Sequence, residues 1–413
     1  MKKMPYTLPA SLARCFADVT GERAAGRKGE RCERALAQKA ERRRAAWCRD
    51  GVIDTEQIKV VYAISDIHGD GGFFMYWLVR SGLARYDDEK GWHWTSKKSA
   101  LVVCGDVSDD YRGGQASDDA ALLAANFEGF RGAPSGSGTW NVLAFINYLV
   151  AECDARIVVV LGNHELMNVK GAAENYKRKV TSALEEARGG WRAGGGMREL
   201  LGTPLVAACA GSLLFMHAEP PIYGESDVHT EFGGSHAAKE FTLRVNARAR
   251  DDLLDGQVEL ALWGRSLGSE LASRPRACGT FRLMMPGVTL VRGHCPNRQG
   301  APVPPELGLV FGPRAASQAN NAAARLASLS GCAPQARVYA ASGPGDLDEG
   351  SARGAYAGVV VSCAHGKTFD GAVFRIDCMG SLAFDISARL CSVVAFDVEK
   401  GEVFCLVGTR EAN

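Results

Sequence analysis

The chain repeatedly breaks short apolar runs with sudden polar clusters, and that rhythm is its clearest signal. The runs at 60–64, 101–104, 157–161, 213–216 and 288–291 are aliphatic throughout or nearly so, and each gives way within three residues to Asp, Asn or His. Runs this short with no polar alternation predict strands covered on both faces. Helical spacing over 120–130, 142–150 and 175–188 lies between them, so strands and helices alternate early in the chain. That order predicts an α/β sheet whose site is built on loops past the strand ends. Further on, 372–376 reads as a strand, while 393–398 and 403–407 flank Glu399-Lys400-Gly401-Glu402 and read as a hairpin closing the sheet.

Three stretches break the rhythm. Residues 2–49 mix Arg and Lys with Glu, include the cluster Arg42, Arg43, Arg44, and predict a solvated helical arm. Glu22, Glu30, Glu33 and Glu41 argue against a mitochondrial transit peptide, since such peptides are poor in acids. Residues 188–196 are Gly-rich and predict a mobile loop, and 296–354 are dominated by Ala, Ser, Gly and Pro. The domain reading is therefore a basic N-terminal extension over 1–56 and a catalytic domain over 57–413, with an Ala/Gly/Ser/Pro-rich insertion near 297–355.

Composition narrows the function classes without naming one. With 413 residues the chain can bury a large core, and its 46% hydrophobic and 23% charged residues describe a soluble globular protein. A formal net charge of +1 gives no global attraction to nucleic acid or membrane, and no nucleic-acid partner is expected. No stretch reaches the roughly 18 apolar residues of a spanning helix, and the first ten residues lack the apolar core of a signal peptide. The 13 cysteines are scattered without a Cys-x-x-Cys pair, so no zinc ribbon or disulfide framework is suggested and a reducing compartment is the simplest home. The expectation is a soluble, intracellular protein, cytoplasmic in the simplest case.

The chemistry sits in five clusters: Ser65-Asp66-Ile67-His68-Gly69-Asp70, Gly105-Asp106-Val107-Ser108-Asp109, Gly162-Asn163-His164-Glu165, Met216-His217-Ala218-Glu219 and Gly293-His294-Cys295-Pro296. Any one of them could be ordinary, because Asp or Asn after a strand commonly caps a helix and Gly supplies a turn. Together they offer Asp66, His68, Asp106, Asn163, His217 and His294, an oxygen and nitrogen ligand set for two cations. Asp66 and His68 stand two apart and can project to the same side of an extended turn toward one cation. The two oxygens of Asp106 can bridge both at a spacing of about 3.5–4 Å. Asn163, His217 and His294 complete the second site. Without Cys among the ligands the set suits Mn, Fe or Zn better than a soft thiolate-bound metal, with manganese preferred. Cys104 and Cys295, beside the ligands, read as small packing residues before redox sensors. Arg292 reads as structural before a substrate contact.

These segments resemble the phosphoprotein phosphatase branch of the calcineurin-like metallophosphatases, whose pattern runs G-D-x-H-G, G-D-x-x-D-R-G, G-N-H-E, H-[AG]-G and a late G-H or A-H. Within that branch, Gly162-Asn163-His164-Glu165-Leu166-Met167-Asn168 is similar to the G-N-H-E-x-M-N of the Shewanella-like phosphatases. Leu262-Trp263-Gly264-Arg265, Gly293-His294-Cys295-Pro296 and Ile376-Asp377-Cys378-Met379-Gly380-Ser381 add to the likeness, which covers about 59–407 outside the insertion. The resemblance implies a four-layer α/β (α+β) fold, a β-sandwich of two mixed sheets flanked by helices. It also implies two divalent metal ions and in-line attack on phosphorus by a hydroxide bridging them. His164 would protonate the leaving group, oriented by Asp109, while Asn163, Arg265 and an arginine of the second motif would bind phosphate oxygens.

Where that second motif carries Arg directly after its second Asp, this chain has Asp110, and a two-residue insertion would bring Arg112 to the role. The alternative is a phosphate pocket short of one cation and a weakened enzyme. Glu219 stands where Gly is common, either facing solvent or biasing the site toward less anionic substrates. The expected activity is hydrolysis of phosphomonoesters, on phosphoprotein with a leaning to phosphotyrosine or on a small phosphoester. The alternatives are a nucleotide polyphosphate hydrolase of the diadenosine-tetraphosphate kind, against which Glu165 speaks, and a metal-keeping adaptor of weak activity. Oligomeric state is left open.

Overall fold

A computed structural model describes residues 27–69, 71–87, 91–108, 138–170, 191, 195–221, 236–265, 267, 274–295, 309–310, 319–349, 359–377 and 390–409. Along the chain these form α1 (Arg27–Arg44), β1 (Cys48–Arg49), β2 (Val52–Ile53), β3 (Val60–Ile64), α2 (Gly71–Arg80), β4 (Ala84–Asp87), β5 (Gly91–Trp94) and β6 (Ser99–Cys104). There follow α3 (Gly138–Glu152), β7 (Ile157–Val160), α4 (Asn163–Lys170), α5 (Gly196–Leu201), β8 (Ala207–Ala210), β9 (Leu213–Met216), α6 (Ala237–Asp251), α7 (Gly256–Trp263) and α8 (Arg274–Met284). The last part holds β10 (Thr289–Arg292), β11 (Leu309–Val310), α9 (Ala319–Ser330), β12 (Arg337–Ala341), β13 (Asp348–Glu349), β14 (Val360–Ser362), β15 (Val373–Arg375), β16 (Leu390–Asp397) and β17 (Val403–Thr409). The helical patterns at 120–130 and 175–188 lie outside the described residues.

Two large mixed sheets carry the fold. The smaller runs β12-β17-β16-β3-β6-β7, and the larger runs β1-β2-β8-β9-β10-β15-β14-β11-β13. In the smaller sheet β3, β6 and β7 are parallel neighbours, and in the larger β9, β10 and β15 are. Parallel strands put their carboxyl ends on one edge, so the polar clusters that follow β3, β6, β7, β9 and β10 can meet. This is the mixed α/β architecture of two sheets flanked by helices that the resemblance implies.

Burial explains why the runs carry no polar alternation. On β3, Val60, Tyr62 and Ile64 face a core shared with Phe74, Trp77 and Leu78 of α2 and Leu143 and Phe145 of α3, while Val61 and Ala63 face the other sheet. Phe396 of β16 meets Phe215 of β9 and Phe374 of β15 edge-on, at ring-centroid distances of 6.0 and 5.2 Å, and so ties the sheets together.

Three features depart from the sequence reading. The hairpin does form, between β16 and β17, but β12 adds a further antiparallel strand beyond β17. β12 comes from the stretch read as an insertion, where Ala-rich composition hid a buried strand. Helix α1 is not a wholly solvated arm: the half-buried Arg44 donates from Nε to Ile157 O (2.9 Å) and from Nη2 to Asn147 Oδ1 (2.9 Å), and burial pulls its pKa down to about 10. Cys278 of α8 and Cys363 after β14 form a disulfide, a bond that scattered cysteines gave no reason to expect. Among the described residues no helix is long and apolar enough to cross a membrane.

Candidate metal centre

Backbone conformation marks the site before any side chain does. Asp66, His68, Asp106 and His294 have φ of 53°, 47°, 50° and 64°, a left-handed region that non-glycine residues rarely occupy. Each such residue costs of order 1–3 kcal/mol, so four candidate ligands held there point to a constraint imposed by function.

Glu165, in the first turn of α4, holds the loops after β6 and β7. Its fully buried carboxylate accepts from the backbone N–H of Asp106 (3.0 Å), Ser108 (2.7 Å) and Gly162 (2.7 Å) and from Ser108 Oγ (2.6 Å). Asn168 Nδ2 adds a bond to Ser108 Oγ at 3.2 Å and one to His164 O at 2.8 Å. Gly162 is needed because a Cβ there would strike the Asp106 carboxylate. Asp106 is thus fixed from below, and its Oδ1 accepts from His164 N at 3.0 Å.

The ring nitrogens converge on the other Asp106 oxygen. Oδ2 lies 3.8 Å from His68 Nε2, 3.7 Å from His164 Nε2 and 3.4 Å from His217 Nε2. His217 Nε2 also lies 2.8 Å from Asn163 Oδ1 and 3.0 Å from His294 Nδ1. Among the described residues two groups could hold a cation, His68 with Asp106 and His164, and His217 with Asp106 and His294. Asp106 belongs to both. Asp66 completes the cluster, with Oδ1 3.9 Å from His68 Nε2 and Oδ2 accepting from His294 N at 3.1 Å, a bond that joins the two sheets.

The donor set fits divalent cations on two grounds. His68 Nδ1 and His217 Nδ1 lie 3.0 Å from Ser108 O and Cys104 O, so each ring donates there and turns an Nε2 lone pair toward the centre. Lone pairs on His217 Nε2 and Asp106 Oδ2 then face each other at 3.4 Å, a repulsion that a proton or a cation between them would relieve. Burial works against the proton, lowering the pKa of His217 and, with help from His217, Arg292 and Arg265, that of His294. The second ground is crowded negative charge. Burial raises the Asp66 pKa well above the usual range, with Asp377 and Asp106 adding to it, and burial followed by Asp106 raises that of Glu165. Buried carboxylates this close call for positive charge.

The structure therefore brings Asp66, His68, Asp106, Asn163, His164, His217 and His294 into one buried cluster. Arg265 follows α7, whose N-terminus is capped by Asp255 accepting from Gln257 N (2.8 Å) and Val258 N (3.4 Å). Its exposed side chain reaches the centre, with Nε donating to His294 Nε2 at 3.0 Å. Asp109 and Arg112 lie outside the described residues. Glu219 does not face solvent: it is buried in an ion pair with Arg292, Oε2 to Nη1 2.6 Å. Sequence reasoning gave no role to Glu165 or Asp377, although Asp377 follows β15 as the other clusters follow their strands, which is the signal that could have found it.

The family model for calcineurin-like phosphoesterases matches residues 59–297, more than half of the chain. Similar solved structures include a cold-active protein-tyrosine phosphatase of a psychrophilic Shewanella species, at 14% identity over 86% of this chain and 81% of that one, with a TM-score of 0.43. A protein serine/threonine phosphatase from Saccharomyces cerevisiae is 12% identical over 98% of this chain and 97% of that one, with a TM-score of 0.40. A metallophosphoesterase from Sphaerobacter thermophilus is 13% identical over 86% and 89%, with a TM-score of 0.30. No curated protein matches the chain.

Proposed function

Since the chain belongs to the calcineurin-like phosphoesterase family, we propose that it is a dinuclear-metal phosphomonoesterase acting on phosphoprotein, with phosphotyrosine among its substrates. One observation carries the reading: the Asp106 carboxylate takes part in both candidate cation groups, as a ligand bridging two metals must. Asp66, His68 and Asp106 would hold one cation and Asp106, Asn163, His217 and His294 the other. Manganese is the proposed metal, with iron or zinc as substitutes, because the donors are carboxylate, amide and imidazole. When bound, the cations supply Lewis-acid stabilisation of the phosphoryl charge and make water at the site more acidic.

The protein groups do the rest. His164 belongs to the first group, its Nε2 3.7 Å from Asp106 Oδ2 and its ring nearly perpendicular to that of His68 at 4.9 Å between centroids, and we assign to its Nε2 the proton given to a leaving alkoxide or phenoxide. Asp109 is the proposed partner that keeps it protonated. Arg265, whose Nε bonds to His294, is the arginine proposed to bind non-bridging oxygens with its planar guanidinium, together with Asn163 and with Arg112 as the proposed second cation.

Purified protein loaded with manganese should hydrolyse an aryl phosphate, and His164→Ala should lower kcat by about 10²–10⁴-fold with its metal content intact. Full activity in that variant would remove His164 from the mechanism. Faster turnover of a dinucleoside polyphosphate than of a phosphotyrosine peptide would overturn the substrate class, and metal-loaded protein inert on every phosphoester would favour an adaptor.

A further inference from the structure

Two charged side chains outside the ligand set are buried beside it. Glu219 stands two residues after His217, and Arg292 two before His294. They are 1% and 0% exposed and joined at 2.6 Å. A buried ion pair contributes little to stability compared with apolar residues of the same volume, so its bonds to the surroundings are the better guide to its role.

Those bonds bracket Arg265. Arg292 Nη2 donates to Gly264 O at 3.2 Å, on one side of Arg265, and Glu219 Oε2 accepts from Leu267 N at 2.8 Å, on the other. Arg292 also donates to Cys295 Sγ (3.1 Å) and Gly293 O (3.4 Å), on both sides of His294. Gly264 packs so closely on Glu219 that a Cβ there would overlap the Glu219 Cγ. One ion pair thus spans the ends of β9 and β10 and the segment after α7. We infer that Glu219 and Arg292 are positioning residues that fix the backbone on either side of Arg265, so that its guanidinium meets a phosphoryl group in a set place. This inference rests on the phosphoesterase reading above. An exposed arginine has several rotatable bonds, and a fixed backbone beneath it removes part of the ordering cost of binding phosphate.

Arg292→Lys keeps the charge opposite Glu219 but loses the fork that reaches Gly264 O, and Gly264→Ala pushes the same segment away by bulk. Both are to be made alone and in an Arg265→Ala background, with manganese content, Tm, the rise in Tm caused by inorganic phosphate, and KM and kcat for an aryl phosphate measured on the loaded protein. Each single variant should raise KM by about tenfold and abolish most of the phosphate-induced rise in Tm, with metal content unchanged and the loss in kcat smaller than the rise in KM. With Arg265 already removed, neither should add a further loss, because both act through it. A drop in Tm with KM and the phosphate response intact, or effects that add fully to Arg265→Ala, would overturn the inference. If Arg292→Lys fails to fold, Gly264→Ala carries the same expectations. Wild-type protein without turnover would overturn the phosphoesterase reading instead, and the phosphate-induced rise in Tm would still decide whether the pair positions Arg265.

Discussion

The two sheets hold their shares of the metal centre by different means. From the smaller sheet, the loops after β3, β6 and β7 bring Asp66, His68, Asp106 and Asn163, with three of these in left-handed backbone and a single carboxylate, Glu165, gathering four donors beneath them. From the larger sheet, β9 and β10 bring His217 and His294, and their loops are joined side chain to side chain by Glu219 and Arg292. The first half is fixed through its backbone amides, and its support cannot be replaced piecemeal. The second is joined by a salt bridge whose further bonds include those to Gly264 O and Leu267 N. The chemistry differs in the same way, since raised carboxylate pKa values belong to the first half and lowered histidine pKa values to the second.

The strongest break comes at the residue both halves share. Asp106→Asn should cost about 10³-fold or more in kcat and at least one equivalent of bound metal, measured by steady-state assay and elemental analysis. Retention of both metals would mean that Asp106 does not bridge. Glu165→Ala strikes the first half alone. It strands three buried N–H groups, and chemical denaturation should show a loss of about 3–5 kcal/mol; a loss under 1 kcal/mol would mean that water replaces the carboxylate.

Acidity separates the halves by sign. Asp66 and Glu165, with raised pKa values, contribute stability to metal-free protein below their ordinary range near 4 and lose it as pH rises. His217 and His294, with lowered pKa values, contribute above about 6.5 and lose it as pH falls. Added manganese relieves the ionised carboxylates, so the gain in Tm it brings should grow between pH 5 and 8. A gain that is flat or shrinks across that range would contradict the charge crowding described above. The smallest effect should fall outside both halves. Lys39 and Glu152 pair at 2.8 Å on the surface of α1 and α3, each about two-fifths exposed, and Lys39→Ala should change stability by no more than about 0.5 kcal/mol.

How much could be read from the chain follows from how local each signal is. The runs at 60–64 and 213–216 coincide with β3 and β9 residue for residue, because strands covered on both faces leave an unbroken apolar trace. The candidate ligands could be found because each follows such a run. The work of Glu165 could not, since two of the amides it holds are 57 and 59 residues away. The partnership of Glu219 with Arg292 spans 73 residues, and nothing near either announces it. Strand β12 was hidden by Arg337-Val338-Tyr339-Ala340-Ala341, in which only two side chains have strong strand preference.

The reach of Arg44, at the end of α1, to the edge strand β7 bears on how this protein can be handled. β7 ends the smaller sheet, and Arg44 occupies its outer carbonyl at Ile157. A truncated form starting at Trp47 would keep every proposed ligand and still lose that cover. The uncovered carbonyl would be open to pairing with another chain, so trimming the arm should favour self-association.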